Sequence, residues 1–173
     1  MVVLIIAIMG YRSYSSAPKT LQIGQDAPPF ILKDARGNTH QLTDYAGKYL
    51  VLYFYPKDDT PGCTEEACQF RDDLVQLEKL GAKVVGVSVD NSESHAIFAK
   101  KYHLPFPLLA DTDGKVAENY HALSNFLVLK IAKRYTFLIN PTGKVVKVYT
   151  NVNTSKHSQQ IIDDLKAMQS NLN

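Results

Sequence analysis

Tyr49 to Tyr55 reads YLVLYFY, an unbroken run of leucine, valine and aromatic side chains. A strand with one wet face alternates apolar and polar residues, whereas a strand covered on both faces does not. The run therefore predicts a central strand of a sheet with helices on either side. It argues against an open antiparallel sheet with a solvated face. Lys83 to Val89, KVVGVSV, repeats the signal. Between the two strands, Thr60 is a good N-cap and Pro61 suits the first helical position. Ala67, Phe70, Leu74 and Leu77 fall on one apolar face of the helix that follows, and Gly81 ends it. Strand, helix, strand in this order is a βαβ unit.

The rest of the chain extends that unit. Leu21 to Leu32 reads as an extended entry with turns at Gly24 and Pro28–Pro29. Asp34 to Asn38 is a turn and His40 to Leu42 an extended return, which together predict a hairpin. Ser92 to Tyr102 is a predicted helix with Ser92 as its cap and Ile97, Phe98 and Tyr102 facing inward. Leu104 to Leu109 is a connection broken by prolines, and Asp113 to Tyr120 a short helix. Tyr135 to Ile139 and Val145 to Tyr149 are strands joined by the turn Asn140-Pro-Thr-Gly143, and Ser155 to Met168 is a closing helix. This order predicts an α/β, thioredoxin-like fold: a central mixed β-sheet flanked by helices, with an N-terminal β-hairpin extension. A chain of 173 residues suits one such domain, assigned to residues 21–173. It can bury a core without disulfide staples.

Residues 1–20 stand apart. Met1 to Met9 reads MVVLIIAIM, which is shorter than the roughly 20 apolar residues that span a bilayer. It resembles the apolar region of an export signal, with small residues at Ser15, Ser16 and Ala17. No Lys or Arg precedes it and Pro18 follows Ala17, which departs from that pattern. Two expectations stand side by side: a cytoplasmic protein, and an exported or membrane-anchored one that associates with the membrane through residues 1–20. The net charge of +2, with mixed signs along the chain, gives neither the basic stripe of a nucleic-acid binder nor an acidic tail. His40, His95, His103, His121 and His157 are scattered without metal-ligand spacing. Each reads as a surface or loop histidine, and no metal site is predicted.

The only cysteines are Cys63 and Cys68, too few for a disulfide scaffold. With Thr60 as N-cap, Cys63 sits at the third helical position. Unpaired N–H groups and the positive end of the helix dipole favour a thiolate there, and the thiolate is the nucleophilic form. The C-terminal end of a strand in an α/β sheet is also where such folds place their sites. The Thr60 hydroxyl reads as a helix cap and also as a group able to reach an oxygen held beside Cys63. Pro56 and Pro61 restrict the loop and shield the thiolate, or serve as turn formers only. Cys63 and Cys68 lie about 140° apart around a helix. Their Cα atoms are then roughly 8–9 Å apart, beyond the roughly 7 Å limit for a disulfide. Three readings follow: unrelated buried thiols, a structural disulfide that prevents a regular helix, or a redox pair. In the last, Cys63 becomes a sulfenic acid and Cys68 resolves it by local unwinding.

FYPKDDTPGCTEEAC, from Phe54 to Cys68, resembles the active-site segment of peroxiredoxins, in particular the bacterioferritin comigratory protein or peroxiredoxin Q group. The family pattern P-x-x-x-T-x-x-C falls on Pro56, Thr60 and Cys63. The group's continuation C-T-x-E-A-C falls on Cys63, Thr64, Glu66, Ala67 and Cys68. The likeness runs from about Leu21 to Leu165 and includes Asp90 to Phe98 and Leu104 to Asp111. The family's R-x-[ST]-F-L-I arginine falls on Arg134. The resemblance implies a thiol-dependent peroxidase of antioxidant defence that reduces hydrogen peroxide and organic hydroperoxides. It casts Cys63 as nucleophile, Cys68 as the resolving thiol of an intrachain disulfide, and Thr60, Arg134 and Pro56 as site residues. It implies recycling by thioredoxin or a similar dithiol, no metal, flavin or haem, and a cycle that a monomer can complete. Asn140 and the short, apolar Ala122 to Lys133 depart from the family pattern. Two rivals share the fold: a thioredoxin-type disulfide oxidoreductase, which uses C-x-x-C, and a copper-binding assembly protein, which uses a C-x₃-C pair and a histidine. The C-x₄-C spacing here matches neither.

Overall fold

The computed structural model describes residues 20–126 and 129–170. It opens with a hairpin of β1 (Ile31–Lys33) and β2 (Thr39–Gln41). Asp34 closes the turn by accepting the backbone N–H groups of Arg36 and Asn38 at 2.8 and 2.9 Å. The central unit follows: β3 (Tyr49–Phe54), α1 (Pro61–Asp72), α2 (Leu74–Lys79), β4 (Ala82–Ser88), α3 (Ser92–Tyr102) and β5 (Leu108–Ala110). After α4 (Lys115–Asn119) comes a second hairpin, β6 (Leu123–Phe126) with β7 (Leu129–Ala132). The chain returns to the main sheet as β8 (Tyr135–Ile139) and β9 (Val145–Tyr149) and closes with α5 (His157–Ser170).

The main sheet has the order β5-β4-β3-β8-β9. The first three strands are parallel, and β8 and β9 run antiparallel to their neighbours. This is the expected mixed sheet, with β3 in the middle. Alternate β3 side chains enter two separate cores. Val51 and Tyr53 pack with Phe70, Leu77, Phe98, Ile161 and Leu165 from α1, α2, α3 and α5. Leu50, Leu52 and Phe54 pack with Val85, Val87, Ala117, Tyr120 and Phe137 on the other face. Both faces are dry, which is why the run Tyr49 to Tyr55 carries no polar alternation. Gly86 on β4 is paired with Tyr53. A Cβ at Gly86 would stand 2.7 Å from Leu108 Cδ2 and 2.8 Å from Tyr53 Oη, so only glycine lets these side chains close over the strand.

Several expectations are corrected. The helix after Thr60 is two helices, broken at Asp73, where the backbone (φ −94°, ψ 2°) leaves the helical region. Asp73 instead accepts the Ser158 hydroxyl of α5 at 2.6 Å. Ala67, Phe70 and Leu77 are buried as expected, and Leu74 is half-buried. The cap of α3 is Asn91, whose Oδ1 accepts from Ser94 N at 2.9 Å, and Ser92 is already helical. Ile97 is 62% exposed, while Phe98 is buried and Tyr102 half-buried. Adjacent helical residues point about 100° apart, so Ile97 and Phe98 cannot share one narrow buried face. The connection from Leu104 to Leu109 already contains the start of β5. His95 and His157 are fully buried, contrary to the surface reading, because each meets a polar partner inside. Burial pushes the His157 imidazole down to about 4, which keeps it neutral between Phe70 and Tyr149. The signal or anchor reading of residues 1–20 lies outside the described residues but for Thr20. Among those described, no helix is long and apolar enough to cross a membrane.

Candidate active site

The C-terminal end of β3 delivers the chain into the loop Tyr55 to Thr60, and Pro61 opens α1. Thr60 occupies the N-cap position with an extended backbone (φ −91°, ψ 152°), and its carbonyl accepts from Thr64 N at 2.8 Å. Its side chain does not cap, contrary to expectation. The hydroxyl donates to the Lys57 carbonyl at 3.0 Å and closes the loop on itself. Pro56 is half-buried where the loop begins.

Cys63 is the third residue of α1 and only 1% exposed. Arg134 reaches it from across the sheet. The β3–β8 register sets Tyr135 opposite Phe54, so the residue before β8 lands beside the loop that leaves β3. Arg134 Nη2 donates to Cys63 Sγ at 3.2 Å, and Nη1 pairs with the Glu66 carboxylate. Glu66 follows Cys63 by three residues and so shares its helix face. Gly62 makes room for this arginine, since a Cβ there would stand 3.3 Å from Nη2. Thr154 lies against Gly62 and donates its hydroxyl to Glu65, which brings the loop before α5 to the rim.

The electrostatics are those of a charge held in a dry place. Glu66 is fully buried, and its Oε1 has no hydrogen-bond partner among the described residues. Burial pushes its carboxyl up to about 7, and the neighbouring Arg134 only partly offsets this. Burial alone would lower Arg134, but Glu66 and Cys63 outweigh it and hold the guanidinium above its ordinary range. Tyr53 Oη is likewise buried without a partner. Desolvation first, then the nearby Glu66 and Cys63, push its phenol well above the usual range, so it stays protonated.

The raised Glu66 carboxyl makes a pH prediction. The folded chain holds this proton more tightly than the unfolded chain does. The contribution to stability is fully present below about pH 4.5 and is lost as pH rises through about 7. In Glu66→Gln the acid is gone, and so is that slope. The stability difference between variant and wild type should change, in favour of the variant, by on the order of 1–3 kcal/mol across this window. Urea titrations through the window measure it, and a difference independent of pH would contradict the assignment.

The structure brings Cys63 and Arg134 together and sets the Thr60 backbone one turn away. Cys68 is half-buried further along the same helix, and both cysteines are free thiols in a regular helix. The structural-disulfide reading, which required a broken helix, does not describe this arrangement. Glu66 was legible only as a letter of the C-T-x-E-A-C pattern. Its position three residues after Cys63 was the available signal, but nothing in its charge announced burial. Two cavities of about 420 and 600 Å³ lie away from the cysteines. One is lined by Tyr45, Leu50 and Pro141, and the other by Leu32, Asn91 and Thr112.

Residues 23–148 match the model of the AhpC/TSA family. Peroxiredoxin Bcp of Bacillus subtilis (strain 168) is 44% identical over 155 residues, which covers 86% of this chain and 98% of that protein. The chloroplastic peroxiredoxin Q of Sedum lineare is 46% identical over 148 residues, covering 85% and 77%. Among solved structures, peroxidoxin BcpB of Mycobacterium tuberculosis superposes with a TM-score of 0.81 at 33% identity, over 85% of this chain and 97% of that one. The bacterioferritin comigratory protein of Xanthomonas campestris, described for its alkyl peroxide reduction activity, gives 0.76 at 35% identity over 80% and 91%. With the family model spanning most of the chain and the Bacillus subtilis protein covered nearly end to end, the chain belongs to the AhpC/TSA family, among its Bcp and peroxiredoxin Q members.

Proposed function

We propose that the chain reduces hydrogen peroxide and organic hydroperoxides with Cys63 as nucleophile, Cys68 as resolving thiol and a thioredoxin-like dithiol as reductant. The observation that carries this reading is the Arg134 guanidinium 3.2 Å from Cys63 Sγ at the first turn of α1. Two positive fields, the helix N-terminus and the arginine, converge on one sulfur in a site that excludes water.

The Cys63 thiolate attacks the distal oxygen of the hydroperoxide. The S–O bond forms as the O–O bond breaks, and the departing oxygen takes a proton to leave as water or alcohol. Negative charge grows on that oxygen, so donors fixed beforehand lower the barrier. Arg134 and the Cys63 backbone N–H supply them. The Thr60 hydroxyl donates to Lys57, and its oxygen can still accept the hydroperoxide proton. Pro56 restrains the loop that carries Thr60. Cys68 then attacks the sulfenic sulfur, a disulfide forms and water leaves. This step requires α1 to unwind locally, since the helix holds the two cysteines too far apart. The external dithiol reduces the disulfide by exchange. In this reading residues 21–173 are the catalytic domain and residues 1–20 a separate apolar segment.

One equivalent of hydroperoxide should remove two thiols and two hydrogens from wild type. Cys68→Ser should stop at a sulfenic acid that a dimedone-type reagent traps at Cys63. Slow, stoichiometric loss of a single thiol in wild type would refute the two-cysteine cycle; counting free thiols and weighing the intact protein distinguishes the two.

A further inference from the structure

The loop between β3 and α1 carries two consecutive aspartates that the peroxidase reading leaves without a task. Asp58 is buried. Its Oδ1 accepts the Tyr55 hydroxyl at 2.7 Å. Its Oδ2 accepts the Ser94 hydroxyl at 2.7 Å and lies 2.8 Å from His95 Nδ1. Its backbone N–H donates to Asp90 at 2.8 Å. His95 and Ser94 sit in the first turn of α3. Asp59 has a left-handed backbone, φ 56°, which aspartate tolerates better than most residues but still at a cost. Its carboxylate accepts Lys101 Nζ at 2.9 and 2.7 Å and the Tyr102 hydroxyl at 2.7 Å, both from the last turn of α3. The same end of α3 holds α1, since Arg71 Nη1 donates to the Tyr102 carbonyl at 2.7 Å. The loop is thus tied to both ends of one helix.

Stability alone is a poor reason for this arrangement. A buried acid with a histidine partner is often no more stable than an apolar replacement. What a fully satisfied buried network does supply is one defined geometry. We infer that Asp58 and Asp59 are positioning residues that clamp the active-site loop to α3, so that Thr60 and the first turn of α1 are held against Arg134 in the intact-helix form. The inference rests on the peroxidase reading for its catalytic consequence and on geometry alone for its structural one. With the clamp loosened, the intact-helix form that meets peroxide becomes rarer and the unwound form that makes the disulfide becomes commoner. The two chemical steps should therefore respond in opposite directions, which a general loss of stability would not produce.

The test uses Asp58→Asn and the surface double variant Lys101→Met/Tyr102→Phe, which leaves the loop sequence untouched. Amide hydrogen exchange over residues 57–64 of the reduced protein should speed up in both. Single-turnover oxidation of Cys63 should slow about tenfold, the equivalent of about 1.4 kcal/mol, with disulfide formation as fast as in wild type or faster. Unchanged exchange in these variants, or equal slowing of both steps, would overturn the clamp. Should Asp58→Asn fail to fold, the surface double variant decides alone. Faster exchange in a protein that proves unreactive to peroxide would support the clamp and sink the peroxidase reading instead.

Discussion

Replacing Cys63 by serine should leave a folded protein that consumes hydroperoxide no faster than buffer. The side chain is 1% exposed and packed against the β3 core, and serine has nearly the same shape, so the fold should survive. The chemistry should not. A serine hydroxyl stays protonated where a thiol gives a thiolate, and oxygen cannot accept the transferred oxygen atom as sulfur does. A loss of at least on the order of 10³-fold in the rate of peroxide consumption is expected, as for other enzymes stripped of their nucleophile. A coupled assay with a thioredoxin-type reductant measures it, with circular dichroism as the control for folding. Retained turnover would move the nucleophile to Cys68 and dismantle the assignment of roles.

The second large effect is expected at Arg134. Methionine keeps the apolar stem and removes the guanidinium, so the Cys63 sulfur loses the donor at 3.2 Å and Glu66 loses its only ion-pair partner among the described residues. Removing a donor aimed at developing charge costs about 10²–10³-fold in rate. The loss should appear in the second-order rate constant for Cys63 oxidation, with the disulfide step much less affected, because in the proposed cycle that step uses Cys68 after α1 has unwound. Arg134→Lys should recover little. A lysine is a point charge and cannot divide its donors between Cys63 and Glu66 as the planar fork does. Near wild-type oxidation in Arg134→Met would show that the helix N-terminus suffices.

Much of this is readable in the sequence. The dry runs of β3 and β4 and the turn at Asn140 to Gly143 place the sheet, because burial on both faces leaves a plain signature in sequence. Arg134 was another matter. Its role depends on the β3–β8 register, a long-range pairing that local pattern does not encode, and only the family motif singled it out. The cap at Asn91 was misplaced by one residue because Asn and Ser are both good caps and stand side by side. His95 and Glu66 were missed as buried groups for a common reason. A polar residue goes inside when a partner waits there, and the partners, Asp58 and Arg134, lie 37 and 68 residues away in the chain. The break at Asp73 has no proline or glycine to mark it.

That break bounds the conformational work that the proposed cycle demands. Helix melting is cooperative, so a rod running from Pro61 to Lys79 would spread any disturbance over about five turns. With the rod cut at Asp73, and the cut residue fastened to Ser158 on α5, the segment that must yield is about three turns long. The kink works as a firebreak. In the proposed cycle it would let the sulfur-bearing end of the helix come apart and reform while α2 and the core around Leu77 stay assembled.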